Sequence, residues 1–455
     1  MKTVWGKRRR TPWEELNLDG SDSDEWTMTF YDFVGRPYKT VYADSGTPWT
    51  PYDNPFSIRY YNNQGQVWKE VDPDGVTTLY VYNAKGEREY TITALAATTR
   101  NMSSYASLLS SLNSIKGGVD RITQTVSDVV SAHGTHVHRT RTYVWGTNGS
   151  PSPTLVSMVE RSVNGLTNWH TIYNGGVPAT TTTITVPGST RTVTTIAPDN
   201  SYTISVYHYG RLASVTRYDS TGTPVGGTSY GYDAHGRRST VTDARNGTTT
   251  YGYNNADLVS SVTTPNPGLI GAAAQTTLTY YDLSLRATNV VQPDGTSVSS
   301  EYYPNGLLKK TWGSRTYPVE YTYDYAGRMK TMKTWKDFAG NSGTAVTTWN
   351  YDPYRGWLAS KRYADGSGPD YTYTAGGRLE TRIWARTGTG GQRIVTAYSY
   401  GPDGNLVSVS YTNDPAATPS ITYTYDRRGR QSTIAGGGMT VTQVYNDADR
   451  LLRES

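Results

Sequence analysis

The stretch Tyr321 to Met329 reads YTYDYAGRM, and a near copy, YTYDRRGRQ, stands at Tyr423 to Gln431. Tyr321 and Tyr323 are separated by one residue, so both rings lie on one face of a strand, because side chains alternate with period two. Asp324, two variable positions and Gly327 follow, a turn composition in which Asp bonds the backbone ahead and Gly takes the positive φ of a bulged hairpin end. Arg328 opens the return strand, from where its guanidinium can lie over a neighbouring tyrosine ring, a contact of about 0.5 to 1 kcal/mol where exposed.

The phrase recurs as YGYDAHGRR (Tyr230 to Arg238), YTYTAGGRL (Tyr371 to Leu379) and YSYGPDGNL (Tyr398 to Leu406). The residues expected to build the repeat are Tyr230, Tyr232, Asp233, Gly236 and Arg237 in one copy and Tyr321, Tyr323, Asp324, Gly327 and Arg328 in the next. Tyr371, Tyr373, Gly377 and Arg378, then Tyr423, Tyr425, Asp426, Gly429 and Arg430, serve two more. Looser copies are YGYNNADLV, TYYDLSLRA, EYYPNGLLK, WNYDPYRGWL and QVYNDADRLL, the last read as one residue longer. Marking each copy by the tyrosine before its turn gives positions 232, 253, 281, 303, 323, 351, 373, 400, 425 and 445. A step in the twenties with variable loops indicates stacked hairpins with insertions outside the strands.

A second turn phrase, DPDG (Asp72 to Gly75), QPDG (Gln292 to Gly295) and YADG (Tyr363 to Gly366), would close the other end of each strand pair. The chain therefore zigzags between two rows of turns. Fainter copies stand at Phe30 to Pro37, Arg59 to Val67 and Tyr80 to Arg88. This divides the sequence into a partly irregular leader (1–28), first repeats (29–93), a divergent insertion (94–200) and a regular array (201–455). Within the insertion, Tyr105, Leu108, Leu109 and Leu112 have helical spacing before Gly117-Gly118, which predicts a short helix. Alternation around His133-Gly134 predicts a long hairpin, and the Thr-rich stretch Thr180 to Thr195, broken at Pro187-Gly188, another. The expected fold is all-β: antiparallel hairpins in one continuous spiral sheet, with one short helical insertion.

Composition agrees with a thin sheet. The 455 residues include 39 Tyr, 12 Trp and 46 Gly but only 4 Phe, and 35% are hydrophobic. An amphipathic ring suits a face that is apolar yet close to water. The net charge of +5, from 43 basic and 38 acidic residues, is spread along the chain and is no nucleic-acid signature. The basic run Lys7 to Arg10 reads as a solvated leader. There is no cysteine, hence no disulfide framework or thiolate site. No apolar run approaches the roughly 20 residues of a membrane-spanning helix. Met1 to Gly20 lacks the apolar core of a signal peptide, so export is expected to depend on another segment or on a different natural amino end.

The repeated Y-x-Y-D-x-x-G-R-L phrase, from about Phe30 to Leu452, resembles the YD repeats of RHS proteins, of the cocoon components of insecticidal Tc toxins and of animal teneurins. The resemblance implies a β-strip wound into a hollow shell, which in bacterial members commonly encloses a carboxy-terminal toxin. Toxin-releasing members carry a core-terminal motif with Asp-Pro and Gly residues before the toxin; no such motif is found here. The chain is accordingly expected to form part of a shell or a segment of a longer protein.

Sites of chemistry are few. His136 and His138 share a strand face but lack a third ligand nearby in sequence, and read as ordinary strand residues. Asp19, Asp22, Asp24 and Glu25 offer oxygen donors without the spacing of an EF-hand, and read as a solvated turn. Asp233, Asp324, Asp352 and Asp426 occupy recurring turn positions, which explains them structurally. No nucleophile elbow, phosphate-binding glycine loop or zinc-protease helix is present. The expected function is a non-catalytic shell or scaffold without cofactor or metal, enclosing or adjoining a polypeptide such as a toxin, secreted or at the cell surface. Homotypic or larger-chain strand pairing is an open possibility, with no nucleic-acid partner and no membrane span. The alternative is an adhesin or glycan-binding module on the same repeats.

Overall fold

The computed structural model describes residues 24–44, 54–268 and 273–455. Lys7 to Arg10, Asp19 and Asp22 lie outside the described residues. The described chain forms 34 strands, each hydrogen-bonded antiparallel to the strands before and after it, in one unclosed sheet. The zigzag follows from the turn chemistry. At Asp233 to Arg237 the Asp233 N–H donates to the Arg237 carbonyl and the Gly236 N–H to the Asp233 carbonyl, with Gly236 at φ 79°. The ladder register shifts between Gly231 and Tyr232, the bulge that the left-handed residue creates. The phrases at 72–76, 292–296 and 363–367 make the same paired bonds at the opposite ends of the strands. Turns thus fall into two rows, one of YD turns and one opposite.

Two details of the repeat differ from the sequence reading. In EYYPNGLLK the tyrosine before the turn is Tyr302, which pairs with Leu308 at the bulge; Tyr303 occupies the Asp position, its N–H donating to Leu307. Replacing 303 by 302 brings the flanking steps to 21 residues each. QVYNDADRLL has the standard length, since Asn446 N–H reaches the Arg450 carbonyl and Asp449 takes the left-handed position at φ 62°. The longer turn is at Asp352, whose N–H bonds to the carbonyl of Trp357, five residues on.

The middle residue of Y-x-Y faces away from the tyrosines. There, hydroxyls pair across strands: Thr322 with Thr331 at 2.6 Å, Thr372 with Thr381 at 2.8 Å, Ser399 with Ser408 at 2.6 Å. Between Leu79 and Trp145 this face turns apolar, with Val81 as the middle residue of Tyr80-Val81-Tyr82. It is covered by helix α2 (Tyr105–Lys116), which follows a four-residue helix α1 (Ala97–Arg100), so the insertion holds two helices where one was expected. Ser104 caps α2 by accepting the Ser107 N–H at 3.1 Å, and Leu108 and Ile115 pack on Leu79, Ile92 and Trp145. Hairpins turn at His133-Gly134, both at positive φ, and at Pro187-Gly188. Only seventeen hydrophobic side chains are buried among the described residues, most around α2, so the rest of the strip is a single layer wetted on both faces.

Candidate functional site: the turn rows and the seam

The repeat residues converge on a relay running from each YD turn to the next. Asp233 Oδ1 accepts the N–H groups of His235 and Arg237, while Oδ2 accepts Arg237 Nε at 2.7 Å. Asp282 with Arg286, Asp324 with Arg328 and Asp426 with Arg430 repeat the arrangement. So held, each guanidinium lies over the tyrosine of the following hairpin: Arg237 is 4.5 Å from the Tyr253 ring centre, Arg328 4.6 Å from Tyr351 and Arg430 4.9 Å from Tyr445. That tyrosine in turn donates its hydroxyl to the previous hairpin's return strand, except Tyr445, whose hydroxyl reaches Gln443 Oε1 at 3.1 Å. Tyr232 reaches Leu212 at 2.8 Å, Tyr323 Leu308 at 2.8 Å, Tyr373 Leu358 at 3.0 Å and Tyr425 Leu406 at 2.7 Å. Tyr230 instead meets Arg238 of its own hairpin at 5.2 Å, and Tyr321, Tyr371 and Tyr423 sit opposite Met332, Arg382 and Ile434. Gly236, Gly327, Gly377 and Gly429 all lie at φ between 76° and 88°.

The Asp233 and Asp282 carboxyls are held below their ordinary pKa, that of Asp233 chiefly by the Arg237 side chain and that of Asp282 by Arg286. Among the described residues no group of three or more His, Asp or Glu could hold a metal ion. His136 and His138 are exposed on one face, His136 Nδ1 3.2 Å from Ser131 Oγ.

A second set of contacts joins residues about 300 positions apart. Thr374 stands where other copies have Asp, which leaves Arg378 without an acid in its own turn; Arg378 grips Asp72 Oδ2 at 2.8 Å and also Asp74. Thr374 Oγ1 and Gly376 N–H donate to Asp74 at 2.8 and 2.7 Å. Glu25 accepts from Tyr325 at 2.6 Å and pairs with Arg328 at 2.7 Å. Burial alone would lower the Arg328 pKa, and Glu25 and Asp324 more than reverse it. Arg355 lies 4.7 Å from the Tyr42 ring centre, Arg121 pairs with Asp403, and Gly175 N–H donates to Asp447 at 3.0 Å. Arg427 is 3% exposed and donates to five carbonyls, those of Ile115, Lys116, Asp120, Thr147 and Ser150. Those of Ile115 and Lys116 end helix α2, where the dipole favours a cation.

In every case a YD turn late in the chain meets the opposite row early in the chain. From the turn at 72–75 to that at 374–377 the chain makes 23 strands, and 23 again separate the turn at Gly175 from that at Asp447. The strip is therefore wound, and one revolution stands on the next along this seam. Sequence reasoning named Glu25 only as an acidic-cluster member, and Asp72 and Asp74 only as turn residues.

The fold and its relay define an antiparallel β-strip protein wound as a spiral of YD hairpins. Residues 232–268 match the RHS Repeat family model. No curated protein sequence matches the chain. Among solved structures it is similar to the crystal structure of TcdB2-TccC3-TEV, at 15% identity and TM-score 0.54, covering 95% of this chain and 25% of that one. A crystal structure of TcdB2-TccC3-Cdc42 gives 15% identity and TM-score 0.55, over 99% and 26%. The Photorhabdus luminescens Tc holotoxin pore, carrying a TccC3 mutation, gives 14% and 0.53, over 93% and 24%. These likenesses are of fold, and the chain spans about a quarter of the length of each structure.

Proposed function

We propose that the chain is the wall of a shell that acts by confinement, without a catalytic residue, and that its lumen secludes a polypeptide such as a toxin. The observation that carries the reading is the seam, typified by Arg378 on Asp72 and Asp74, because it brings the strip back upon itself once per 23 strands. At about 4.8 Å between strands, 23 strands give a circumference of at least about 110 Å, which strand tilt enlarges. A circle of that length is about 35 Å across. Removing about 5 Å of side chain from each wall leaves a channel on the order of 25 Å wide, room for extended or helical polypeptide. The YD turns, with Tyr232, Asp233, Gly236, Arg237 and their counterparts, serve in this reading as struts of the wall. Similarity to structures whose names include a Tc holotoxin pore supports a toxin as cargo and a secreted or surface setting. Cryo-EM of the purified chain tests the proposal: a wound wall around an open lumen is expected, and a flat strip or solid particle overturns it.

A further inference from the structure

Away from α2 the strip is thin, yet a second place on it is closed, this time on the tyrosine face. Ile394, Thr396 and Val409 are only 3%, 2% and 7% exposed. Strand pairing sets large rings around them on the same face: Tyr371 pairs with Arg382, Arg382 with Thr396, Thr396 with Tyr411 and Tyr398 with Val409. Tyr423 follows two residues after Ile421, the partner of Val409 on the next strand. Trp384 closes the side, its Nε1 donating to Thr396 Oγ1 at 2.8 Å. The polar groups above this floor are unused. Arg382 lies 3.7 Å from the Trp384 ring centre, but no carboxylate pairs with it among the described residues and its buried Nε has no hydrogen-bond partner. A buried donor left in this way is rare in folded proteins and costs stability. The hydroxyls of Tyr371, Tyr398, Tyr411 and Tyr423 also make no hydrogen bond among the described residues, whereas the marker tyrosines Tyr373, Tyr400 and Tyr425 all reach carbonyls. Burial pushes the Tyr398 phenol above its ordinary pKa, Arg382 acts against it, and Tyr411, Tyr371 and Tyr423 add to it, so the five groups share one neighbourhood.

We propose that this cluster binds an anionic oligosaccharide, with the Arg382 guanidinium on a carboxylate or sulfate group and the phenols of Tyr371, Tyr398, Tyr411 and Tyr423 on the sugar hydroxyls around it. The inference concerns one patch of the sheet and does not rest on the shell reading or on any cargo. A guanidinium presents parallel donors that match the paired oxygens of an oxyanion. A phenol both donates and accepts, as a sugar hydroxyl does, and its ring offers an apolar edge to the C–H groups between those hydroxyls. An extended polypeptide fits less well. The main chain of these strands is already bonded in the ladder, so a peptide lying on the face finds no backbone partners, and strand addition needs an edge. Nucleic acid fits less well again, since it needs a line of phosphate contacts. Here one arginine stands without an acid, and Arg386, 5.3 Å from the Trp384 ring centre, is close enough to Asp414 to lower that carboxyl's pKa.

Isothermal titration calorimetry of the full chain with galacturonate oligomers, their neutral methyl esters and sulfated galactose oligomers tests this. Binding of at least one anionic series is expected, and the series that binds tells a carboxylate from a sulfate. The neutral esters are expected to bind about tenfold more weakly or worse, and Arg382→Gln to weaken the anionic series by a similar factor, with Arg382→Lys in between. Tyr411→Phe keeps the ring over the floor, so it should leave the melting temperature unchanged while weakening binding by about twofold to tenfold. It carries the test if Arg382→Gln does not fold. Arg191→Gln is the control, since it removes an arginine 3.9 Å from the Tyr207 ring centre on a strand outside the cluster and should change nothing. A parent chain that binds neither anionic series overturns the proposal. So does binding that survives both Arg382→Gln and Tyr411→Phe, or tighter binding of glutamate oligomers than of either sugar, which would make the occupant a polypeptide.

Discussion

Arg378 and Asp72 lie 306 residues apart in the chain and 2.8 Å apart in the structure. Thr374 replaces the Asp that binds the arginine in other turns, so the acids of Arg378 lie across the seam, whereas Arg328 binds both Asp324 of its own turn and Glu25 across it. The strand ladder and the seam are therefore separate layers of stability, the first local along the chain and the second joining distant segments.

Arg378→Ala removes the ion pairs to Asp72 and Asp74 and leaves two half-buried carboxylates without their cation. A charge-assisted bond of this kind contributes about 1.5 to 3 kcal/mol. The loss is expected to appear as faster hydrogen exchange at 72–76 and 374–378 with the neighbouring strands still protected. Arg237→Ala, in a turn whose partner Asp233 is its own, should leave exchange at 72–76 untouched.

The hairpins were legible in the sequence because each is written locally: Tyr321, Tyr323, Asp324 and Gly327 occur in one short phrase and act within it. The seam was not, since contacts such as Arg427 with the end of α2 join residues more than 300 apart, and Arg427 occupies a variable turn position that its sequence neighbours do not mark. The hydroxyl bond from marker tyrosines such as Tyr323 was also missed, because its acceptor is a backbone carbonyl and carbonyls leave no trace in side-chain patterns. Leu285 weakened a signal without hiding it, since it occupies the left-handed position where Gly was expected while TYYDLSLRA was still legible as a looser copy.

Leu285 sits at φ 64°, where a non-Gly residue costs about 1 to 2 kcal/mol, and its side chain is exposed. Leu285→Gly should raise the melting temperature. Gly327→Val should lower it: the site at φ 76° has room for a Cβ, with Leu307 Cδ1 3.9 Å away, so the cost comes from the backbone and is greatest for a β-branched side chain. Differential scanning calorimetry of both variants checks the opposite signs.

Tyr323→Phe deletes the bond to the Leu308 carbonyl at 2.8 Å and leaves the ring in place. The cost of one such bond is about 0.5 to 1.5 kcal/mol. Combining it with Tyr351→Phe and Tyr425→Phe, whose hydroxyls reach Met329 and Leu406, should add nearly linearly because the three ties share no partner. Urea denaturation midpoints of the single and triple variants measure this.

Acid should loosen the YD turns at Asp233 and Asp282 and the strand pair at Asp128. The carboxyls of Asp233, Asp282 and Asp128 are held below the ordinary aspartate value, first by hydrogen bonds from Arg237, Arg286 and Arg139 respectively. A carboxyl whose folded pKa lies below its unfolded one stabilises the fold fully above the unfolded value, about 3.9, and loses that contribution as pH falls through the folded value. Melting temperature should therefore change little from these groups between pH 7 and 5 and fall steeply below about pH 4. Asp233→Asn removes one titrating group while keeping an acceptor for the turn N–H groups, a role Asn254 and Asn446 already fill in their own turns. That variant should start lower at pH 7, lacking the Arg237 ion pair, and converge on the parent chain as pH drops. A gap between the two melting curves that stays constant from pH 7 to pH 3 would contradict the assignment of acid sensitivity to the turn carboxylates.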